Sequence, residues 1–183
     1  MHNSVLIGKQ IYLRPYELTD VEMVVEWSAI EDETFMYRGR EPVSPLAIRD
    51  KFARLYQRQP PETFLFAACL IKDDILIGEV GTTGINWVNR TGETSIYLAP
   101  SWRNQGHGTE AINLLLEYCF DVLQLHVLHA TVLETNTRSA SAHVKQGYHP
   151  AGRMHWNDVK EGVYRDFLMF DVLRGDWLSA RDR

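Results

Sequence analysis

The chain has 183 residues, of which 45% are hydrophobic and 23% charged, and its formal net charge is −5. This length and composition predict one soluble globular domain over residues 1–183, large enough to bury a core of its own. The negative charge argues against a nucleic-acid partner, because phosphate contacts need a surplus of Lys and Arg.

The first third of the chain predicts a strand followed by two helices. KQIYLRPYE has the composition of a strand that ends at a proline. LTDVEMVVEW predicts a helix from near Asp20, with Thr19 and Glu22 as its capping box. VSPLAIRDKFARLYQR predicts a second helix with Ser44 as its N-cap, and the QPP stretch that follows ends it.

From residue 63 onward the apolar period changes to that of strands. TFLFAACLI and ILIGEVGTTGINWV predict a hairpin that turns at residues 72–74. The remaining elements in chain order are a strand, an apolar helix, a buried strand, a short helix and a last strand: GETSIYLA, TEAINLLLEYCFDVL, HVLHATVLE, NTRSASAHVKQG and RDFLMFDVL. In the short helix, Asn136 is the expected N-cap and Gly147 follows the C-terminus. This order predicts a mixed α+β or α/β domain around one central sheet.

The turn RNQGHG lies between a predicted strand and the apolar helix. Backbone N–H groups at a helix start are unpaired, and the helix dipole favours an anion there. Gly106 and Gly108 let a phosphate approach the backbone, and Arg103 can add a charge-assisted contact. A plain glycine turn is the alternative. The turn is neither a P-loop nor the three-glycine dinucleotide fingerprint, which would need a glycine at Ala111.

A second motif begins after the buried strand, in TNTRSASAHVKQGYHPAG. With both motifs, the chain resembles the GNAT superfamily of acetyl-CoA-dependent N-acetyltransferases, and within it the RimJ and RimL branch of ribosomal-protein N-terminal acetyltransferases. The matched positions are those of an Arg/Gln-x-x-Gly-x-Gly/Ala turn and an Asn-x-x-Ser segment leading to Gly-Phe/Tyr: Arg103, Gly106, Gly108, Asn136, Ser139, Gly147 and Tyr148. An early LRP and a late Tyr164-x-Asp166 are typical of the branch. The resemblance spans about residues 6–178.

The resemblance implies a GNAT-type central sheet, mostly antiparallel and splayed, flanked by helices. It also implies acetyl-CoA as the acyl donor, with the pyrophosphate on the backbone of residues 105–109. The pantetheine arm would lie between the strand at residues 97–99 and the strand at residues 132–134. Asn136 would contact this arm, unless it is only a helix cap. The implied cofactor-binding residues are Tyr97, Leu98, Ala99, Arg103, Asn104, Gln105, Gly106, His107, Gly108, Thr109, Asn136 and Ser139. His107 would act through its backbone N–H, with its side chain incidental.

Acyl transfer to an amine needs a base, a donor for the oxyanion and a donor for the leaving thiolate. Glu93 is the candidate base and Glu79 the second choice, although an exposed strand-end glutamate without a role is the alternative for Glu93. The family-like oxyanion donor is the backbone N–H near Leu98. The resemblance favours Ser139 as the acid, with His143 second, because His143 replaces a tyrosine that many members carry. A helix residue without chemistry is the alternative for His143.

The acceptor pocket is expected in IEDETFMYRGRE and in the loop RMHWNDVKEGVYRD, whose carboxylates and aromatic rings suit a cationic amine. A solvated acidic loop is the alternative. The candidate acceptors are a protein N-terminal α-amine, a polyamine, an aminoglycoside or another small amine. Two rival functions are a non-catalytic acyl-CoA-binding sensor or partner-binding module and a nucleotide-phosphate binder.

Simpler features of the sequence predict the cellular compartment, the absence of a metal and the oligomeric state. Cys69 and Cys119 lie far apart in apolar stretches without CxxC spacing, which predicts buried free thiols in a reducing compartment. The sequence has no signal-peptide pattern and no apolar run of membrane-spanning length, so we expect a cytoplasmic protein without a membrane partner. The seven histidines lack metal-ligand spacing, so no metal is expected. Family analogy suggests a homodimer.

Overall fold

The computed structural model describes residues 3–29, 43–55, 57, 59–160 and 162–181. Eight strands of these residues pair into one sheet: β1 Leu6–Ile7, β2 Ile11–Pro15, β3 Phe64–Leu70, β4 Leu76–Asn86, β5 Thr91–Leu98, β6 Val127–Leu133, β7 His149–Lys160 and β8 Val163–Leu173. Five α-helices accompany them: α1 Val21–Ala29, α2 Pro45–Leu55, α3 His107–Glu117, α4 Thr137–Lys145 and α5 Arg174–Arg181.

The strand order in the sheet is β1-β2-β3-β4-β5-β6-β8-β7. Neighbouring strands run antiparallel except β5 and β6, which are parallel because helix α3 forms the crossover between them. The predicted fold is therefore confirmed: a mixed α/β domain around one mostly antiparallel sheet. The hairpin predicted to turn at residues 72–74 is also confirmed, since β3 and β4 pair antiparallel across it.

Apolar residues cover the sheet on both faces. Helix α3 contacts β2, β4 and β5, and its Ile112, Leu115 and Leu116 are almost fully buried in the larger core cluster. A second cluster joins α1 and α2 to β5, where Trp27 lies 5.7 Å from the ring of Tyr97. Strand β5 is thus held from both sides, so its backbone is a rigid support for the groups along it.

Two predicted N-caps are confirmed and one is wrong. Ser44 accepts the N–H of Ala47 at 3.1 Å, and Asn136 accepts the N–H of Ser139 at 3.1 Å. Before α1, the predicted capping box of Thr19 and Glu22 does not form. Asp20 instead accepts the N–H of Glu17 at 2.8 Å, at a short 3-10 turn that precedes the helix.

A buried ion pair explains the cap that forms before α1. Asp20 must also face Arg14, whose guanidinium donates to both of its carboxylate oxygens at 2.7 and 2.8 Å, and both side chains are buried. A buried charge needs a partner, so this pair decides where the carboxylate points.

The sequence patterns did not predict strand β7 and helix α5. The pairing of β7 with β8 shifts register between Pro150 and Gly152 and again between Met154 and Asp158. These irregularities break the alternation of apolar and polar residues by which a strand is recognised. The stretch expected to be a loop, residues 153–166, consequently belongs to both strands of a long hairpin, with residues 153–160 in β7 and residues 163–166 in β8. Among the described ranges, no helix is long and apolar enough to cross a membrane.

Candidate active site

A cleft opens in the sheet where β5 and β6 separate. The two strands pair at Thr91–Val127, Gly92–Leu128 and Glu93–His129, and the described ladder ends there. A cavity of about 620 Å³ lies at this opening. The predicted splay of these strands is therefore confirmed, and the gap leaves backbone groups of β5 without a neighbouring strand.

The cavity brings together most of the residues that the sequence predicted for the site. Its wall contains three candidate catalytic residues, of which Ser139 is also a candidate cofactor residue, and seven further candidate cofactor residues: Glu93, Ser139 and His143, with Leu98, Arg103, Asn104, Gly106, Gly108, Thr109 and Asn136. They come from β5, the turn before α3, the first turn of α3, and the N-cap and first two turns of α4. Two helix N-termini thus converge on one opening, which makes it suited to a ligand that carries negative charge.

The turn before α3 has the geometry of an anion site. Asn104 and Gly106 have φ of 61° and 87°, and Gly106 is the N-cap of the helix. The N–H of Glu110 bonds the carbonyl of Gly106 at 3.1 Å, so the N–H groups of residues 107–109 precede the first intrahelical bond. A Cβ at Gly108 would lie 3.4 Å from Cδ1 of Leu98, so the glycine keeps this approach open. The backbone here can hold a phosphate group.

Strand β5 presents alternate backbone groups to the gap. The N–H of Ala99 bonds the carbonyl of Ile77 on the β4 side at 3.0 Å. Backbone groups alternate in direction along a strand, so those of Leu98 and Ile96 face the opposite side, toward the gap. Arg103 donates from Nε to the Leu98 carbonyl at 2.8 Å, and its guanidinium lies 5.5 Å from the centre of the Tyr97 ring. Arg103 therefore fixes the part of β5 that carries the predicted oxyanion donor.

Four predicted cofactor residues have side chains that lie away from the cavity wall. Tyr97 and Ala99 belong to the core cluster under α1 and α2, because side chains alternate between the two faces of the sheet along β5 and theirs lie on the face that these helices cover. Gln105 is exposed and donates to the Ser101 carbonyl at 2.8 Å. His107 is buried, with Nδ1 3.3 Å from the Trp102 carbonyl. For these four residues the prediction concerns backbone groups alone.

Ser139 and His143 lie one turn apart on α4. Nδ1 of His143 lies 2.8 Å from the Ser139 carbonyl oxygen and 3.4 Å from its hydroxyl oxygen. The imidazole packs edge-on against Tyr148 at 4.9 Å and stacks on Phe170 at 5.7 Å. Burial lowers the pKa of His143 below 6.5. The ring is therefore neutral near pH 7, and its Nδ1–H, assigned from this geometry, is donated to the carbonyl. This favours Ser139 over His143 as the donor that faces the cavity.

We expect His143 to make the protein less stable as the pH falls from 7 to 5. Below pH 6.5 the unfolded chain protonates this histidine, whereas the folded protein keeps it neutral until the pH reaches its lower native pKa. A His143→Gln variant should show a smaller fall in the free energy of unfolding, measured by urea denaturation at both pH values. The control is His126→Gln at an exposed histidine, which should lose as much stability as the wild type. An equal fall in wild type and His143→Gln would contradict the expectation.

The two candidate bases have different surroundings. Glu93 is exposed at the cavity, opposite Thr83 on β4 and His129 on β6. Glu79 is half-buried beside Tyr97 and accepts a hydrogen bond from the Tyr16 hydroxyl at 2.8 Å. The geometry therefore supports Glu93 as the base, because its side chain can contact a molecule bound in the cavity.

The β7–β8 hairpin forms one wall of the cavity. The sequence predicts that this segment lies near the acceptor but does not identify which of its residues line the cavity. Met154, Asn157 and Phe167 line the cavity, whereas Trp156 and Tyr164 are exposed with ring centroids 5.6 Å apart. The other predicted acceptor stretch, residues 30–41, lies outside the described residues. Regular alternation would have found Met154 from β7, but it would have placed Asn157 on the wrong face. Within the described part of the chain, no group of three or more His, Cys, Asp or Glu residues is arranged to hold a metal ion.

These features define an acetyltransferase of the GNAT type, and the chain belongs to that family: residues 10–149 match the family model described as an acetyltransferase (GNAT) domain. The enzyme transfers acetyl groups and uses acetyl-CoA as the donor. The open helix N-terminus, the backbone facing the gap and the cavity between them fit such a ligand.

The chain is similar to particular known proteins over nearly its whole length. It is 29% identical over 177 residues to "Probable N-acetyltransferase YjcK" of Bacillus subtilis (strain 168), covering 93% of this chain and 98% of that protein. It is 28% identical over 170 residues to the spermidine N(1)-acetyltransferase of Escherichia coli (strain K12), covering 92% and 89%. The spermidine N-acetyltransferase of Vibrio cholerae in complex with CoA and spermine superposes with a TM-score of 0.82 at 21% identity, covering 93% and 99%.

Proposed function

We propose that the protein acetylates a primary amine of a small polyamine by direct attack of that amine on acetyl-CoA. The observation that carries this proposal is the convergence of Glu93, the gap-facing backbone of β5 and Ser139 on one cavity. The choice of a polyamine is supported by the spermidine acetyltransferases among the relatives. It is also supported by the carboxylate of Glu93, which attracts a cationic amine to the cavity.

Acetyl-CoA supplies an acetyl group that is activated as a thioester. The N–H groups at the start of α3 hold its phosphates, as the predicted motif implies, with Asn104, Gly106, Gly108 and Thr109 around them. The backbone of Leu98 and Ile96 bonds the extended arm in the way that an added strand would. Asn136 keeps the start of α4 in place by accepting the Ser139 N–H, so it positions Ser139 beside the arm.

The protein's own groups have three tasks in the transfer. Glu93 accepts one proton from the amine, whose usual pKa of about 10.4 leaves it charged at neutral pH, and the second nitrogen proton is released to solvent as the C–S bond breaks and the amide forms. The Leu98 N–H donates to the thioester oxygen as negative charge develops there. The Ser139 hydroxyl donates to the departing sulfur, and the N-terminus of α4 favours the same negative charge. Because the amine attacks directly, the enzyme needs no covalent intermediate.

Protein N-terminal α-amines are the second acceptor class. The LRP segment at the end of β2 and the Tyr164-x-Asp166 segment of β8 support this class, since both are typical of the RimJ and RimL branch. An α-amine has a pKa near 8, so it would demand less of the base than a polyamine does.

The acceptor is tested by mixing the protein with acetyl-CoA and a panel of amines and measuring free thiol. The panel contains spermidine, spermine, aminoglycosides, amino acids and peptides with free N-termini. We expect the kcat/KM for spermidine or spermine to exceed that for every other amine at least tenfold. If a peptide has the highest kcat/KM of the panel, the acceptor is a protein N-terminal α-amine and the polyamine proposal is wrong. CoA binding by calorimetry without acceptor-dependent thiol release would instead support the non-catalytic sensor.

We further propose a single-domain, cytoplasmic protein that forms a homodimer. Cys69 and Cys119 are free and buried on separate elements, which suits a reducing compartment. Light scattering coupled to gel filtration tests the dimer, and a monomer mass at micromolar concentration would contradict it.

A further inference from the structure

Strand β7 contains a bulge that costs conformational energy. Its register with β8 shifts between Met154 and Asp158, and Trp156 inside this bulge has a φ of 52°. This is the left-handed region, which a bulky non-glycine residue rarely adopts. The rest of the structure must therefore hold the bulge in place.

Asp166 on β8 supplies the groups that hold it. One carboxylate oxygen accepts the N–H of Trp156 at 2.8 Å. The other lies 2.9 Å from Nδ1 of His155 and accepts a hydrogen bond from Nε of Arg153. The Trp156 N–H and the Arg153 guanidinium lower the pKa of Asp166 to about 2, so the carboxylate stays ionised over the working range of an enzyme.

Glu134 connects this network to the end of β6. It accepts from Arg153 at 2.5 Å and from the N–H of Asp166 at 3.1 Å, and its own N–H donates to the Asp166 carbonyl at 3.0 Å. Glu134 lies two residues before Asn136, the N-cap of α4. The bulge is thus fixed relative to the helix that carries Ser139.

The bulge changes which residues of β7 face the cavity. In a regular strand Met154 and Trp156 would share one face, and Asn157 would lie on the other. Met154 and Asn157 instead both line the cavity, while Trp156 is 72% exposed. Residues 155–157 of β7 stand opposite the single residue Asp166 of β8, two residues more than a regular pairing has, and this irregular stretch interrupts the alternation of faces. Asn157 reaches the cavity only because the bulge persists.

We propose that Asp166 is a positioning residue for the acceptor amine, because it holds the bulge that turns the Asn157 amide into the cavity. This inference rests on the proposed function. Asn157 lies on the β7–β8 wall, whereas the proposed phosphate contacts are on α3. Its amide oxygen can accept a hydrogen bond from an amine or ammonium group of the acceptor.

The test compares Asp166→Asn with Asp171→Asn, a matched change at a half-buried position of the same strand. We expect Asp166→Asn to raise the KM for the best amine of the panel at least tenfold and to leave the Kd for CoA within twofold. Asp171→Asn should match the wild type in both. Asn157→Ala should reproduce the rise in KM, and the double variant should be no worse than the more severe single variant, since both act through one contact.

Several results would overturn the proposal. An unchanged KM in Asp166→Asn would show that the carboxylate is not needed, and additive effects in the double variant would show that it acts elsewhere. Equal losses in acceptor KM and CoA affinity would indicate a general structural role. If Asp166→Asn does not fold, Arg153→Gln loosens the same network from its exposed side, and the same split between KM and Kd is expected.

A second measurement separates this proposal from the proposed function. Amide hydrogen exchange at Trp156 should become at least tenfold faster in Asp166→Asn and stay unchanged in Asp171→Asn. A wild type that turns over no amine would refute the proposed function, and exchange would still show whether Asp166 holds the bulge. Unchanged exchange would overturn the positioning role even in an active enzyme.

Discussion

A Gly108→Val variant is expected to bind CoA at least thirty-fold more weakly than the wild type. Gly108 is the second residue of α3, and an added Cβ would already lie 3.4 Å from Cδ1 of Leu98 and 3.7 Å from Cδ1 of Ile96. The two further methyl groups of valine would occupy the space through which a phosphate reaches the helix N-terminus. Hydrogen bonds to charged groups contribute about 1.5–3 kcal/mol each, so losing one accounts for a thirty-fold change.

The control for this variant is Gly175→Val. Gly175 is the second residue of α5, so the backbone change is the same, but an added Cβ there meets nothing within 4 Å. Calorimetric titration with CoA should give the wild-type Kd for Gly175→Val, and urea denaturation should show similar stability for the two variants. A wild-type Kd for Gly108→Val would place the phosphates away from the start of α3.

The parts of the site that could be predicted from sequence are those set by short-range geometry. The glycine turn before α3 and the Asn136 cap of α4 depend on a few neighbouring residues, and both form as expected. The same holds for the strands on either side of the cleft, whose apolar patterns are regular. Because these elements carry the cofactor motif, the class of enzyme followed from the sequence.

Other features depend on contacts between residues far apart in the chain. The bulge in β7 requires Asp166 on the next strand and Glu134 at the end of β6, so local alternation could not place Asn157 in the cavity. The cap before α1 differs from prediction because Arg14 on β2 holds the Asp20 carboxylate where it also accepts the N–H of Glu17. Pairing with β4 sets which face of the sheet the Tyr97 side chain occupies, so the predicted cofactor contact of this residue concerns its backbone.

His143 illustrates how burial changes a chemical role. Its position suggested a proton donor with a pKa near neutrality. In the fold it is enclosed by Tyr148 and Phe170, and this burial lowers its pKa, although the hydrogen bond that Nδ1–H donates to the Ser139 carbonyl acts in the opposite direction. The sequence gives no sign of this enclosure, because Phe170 comes from β8 and its packing is a property of the assembled sheet.

A Ser139→Ala variant is expected to lower kcat by about 10- to 100-fold and to leave the Kd for CoA within twofold. Nδ1 of His143 directs its hydrogen to the Ser139 carbonyl, so the serine hydroxyl is left to donate into the cavity. A thiol with a pKa of about 8.5 leaves as a thiolate near neutral pH and needs a hydrogen-bond donor more than a strong acid. A hydrogen bond to a charged group is worth about 1.5–3 kcal/mol, which corresponds to this loss of rate.

The matched control is Ser141→Ala, two residues further along α4 at an exposed position, and it should keep the wild-type kcat. Steady-state thiol release with the best amine gives kcat, and calorimetry gives the Kd for CoA. Ser139→Thr retains a hydroxyl and should recover at least part of the lost rate, whereas a purely steric role would make threonine worse than alanine. A Ser139→Ala enzyme with wild-type kcat would assign the donation to another group, and a selective loss of CoA affinity would place Ser139 in binding instead of catalysis.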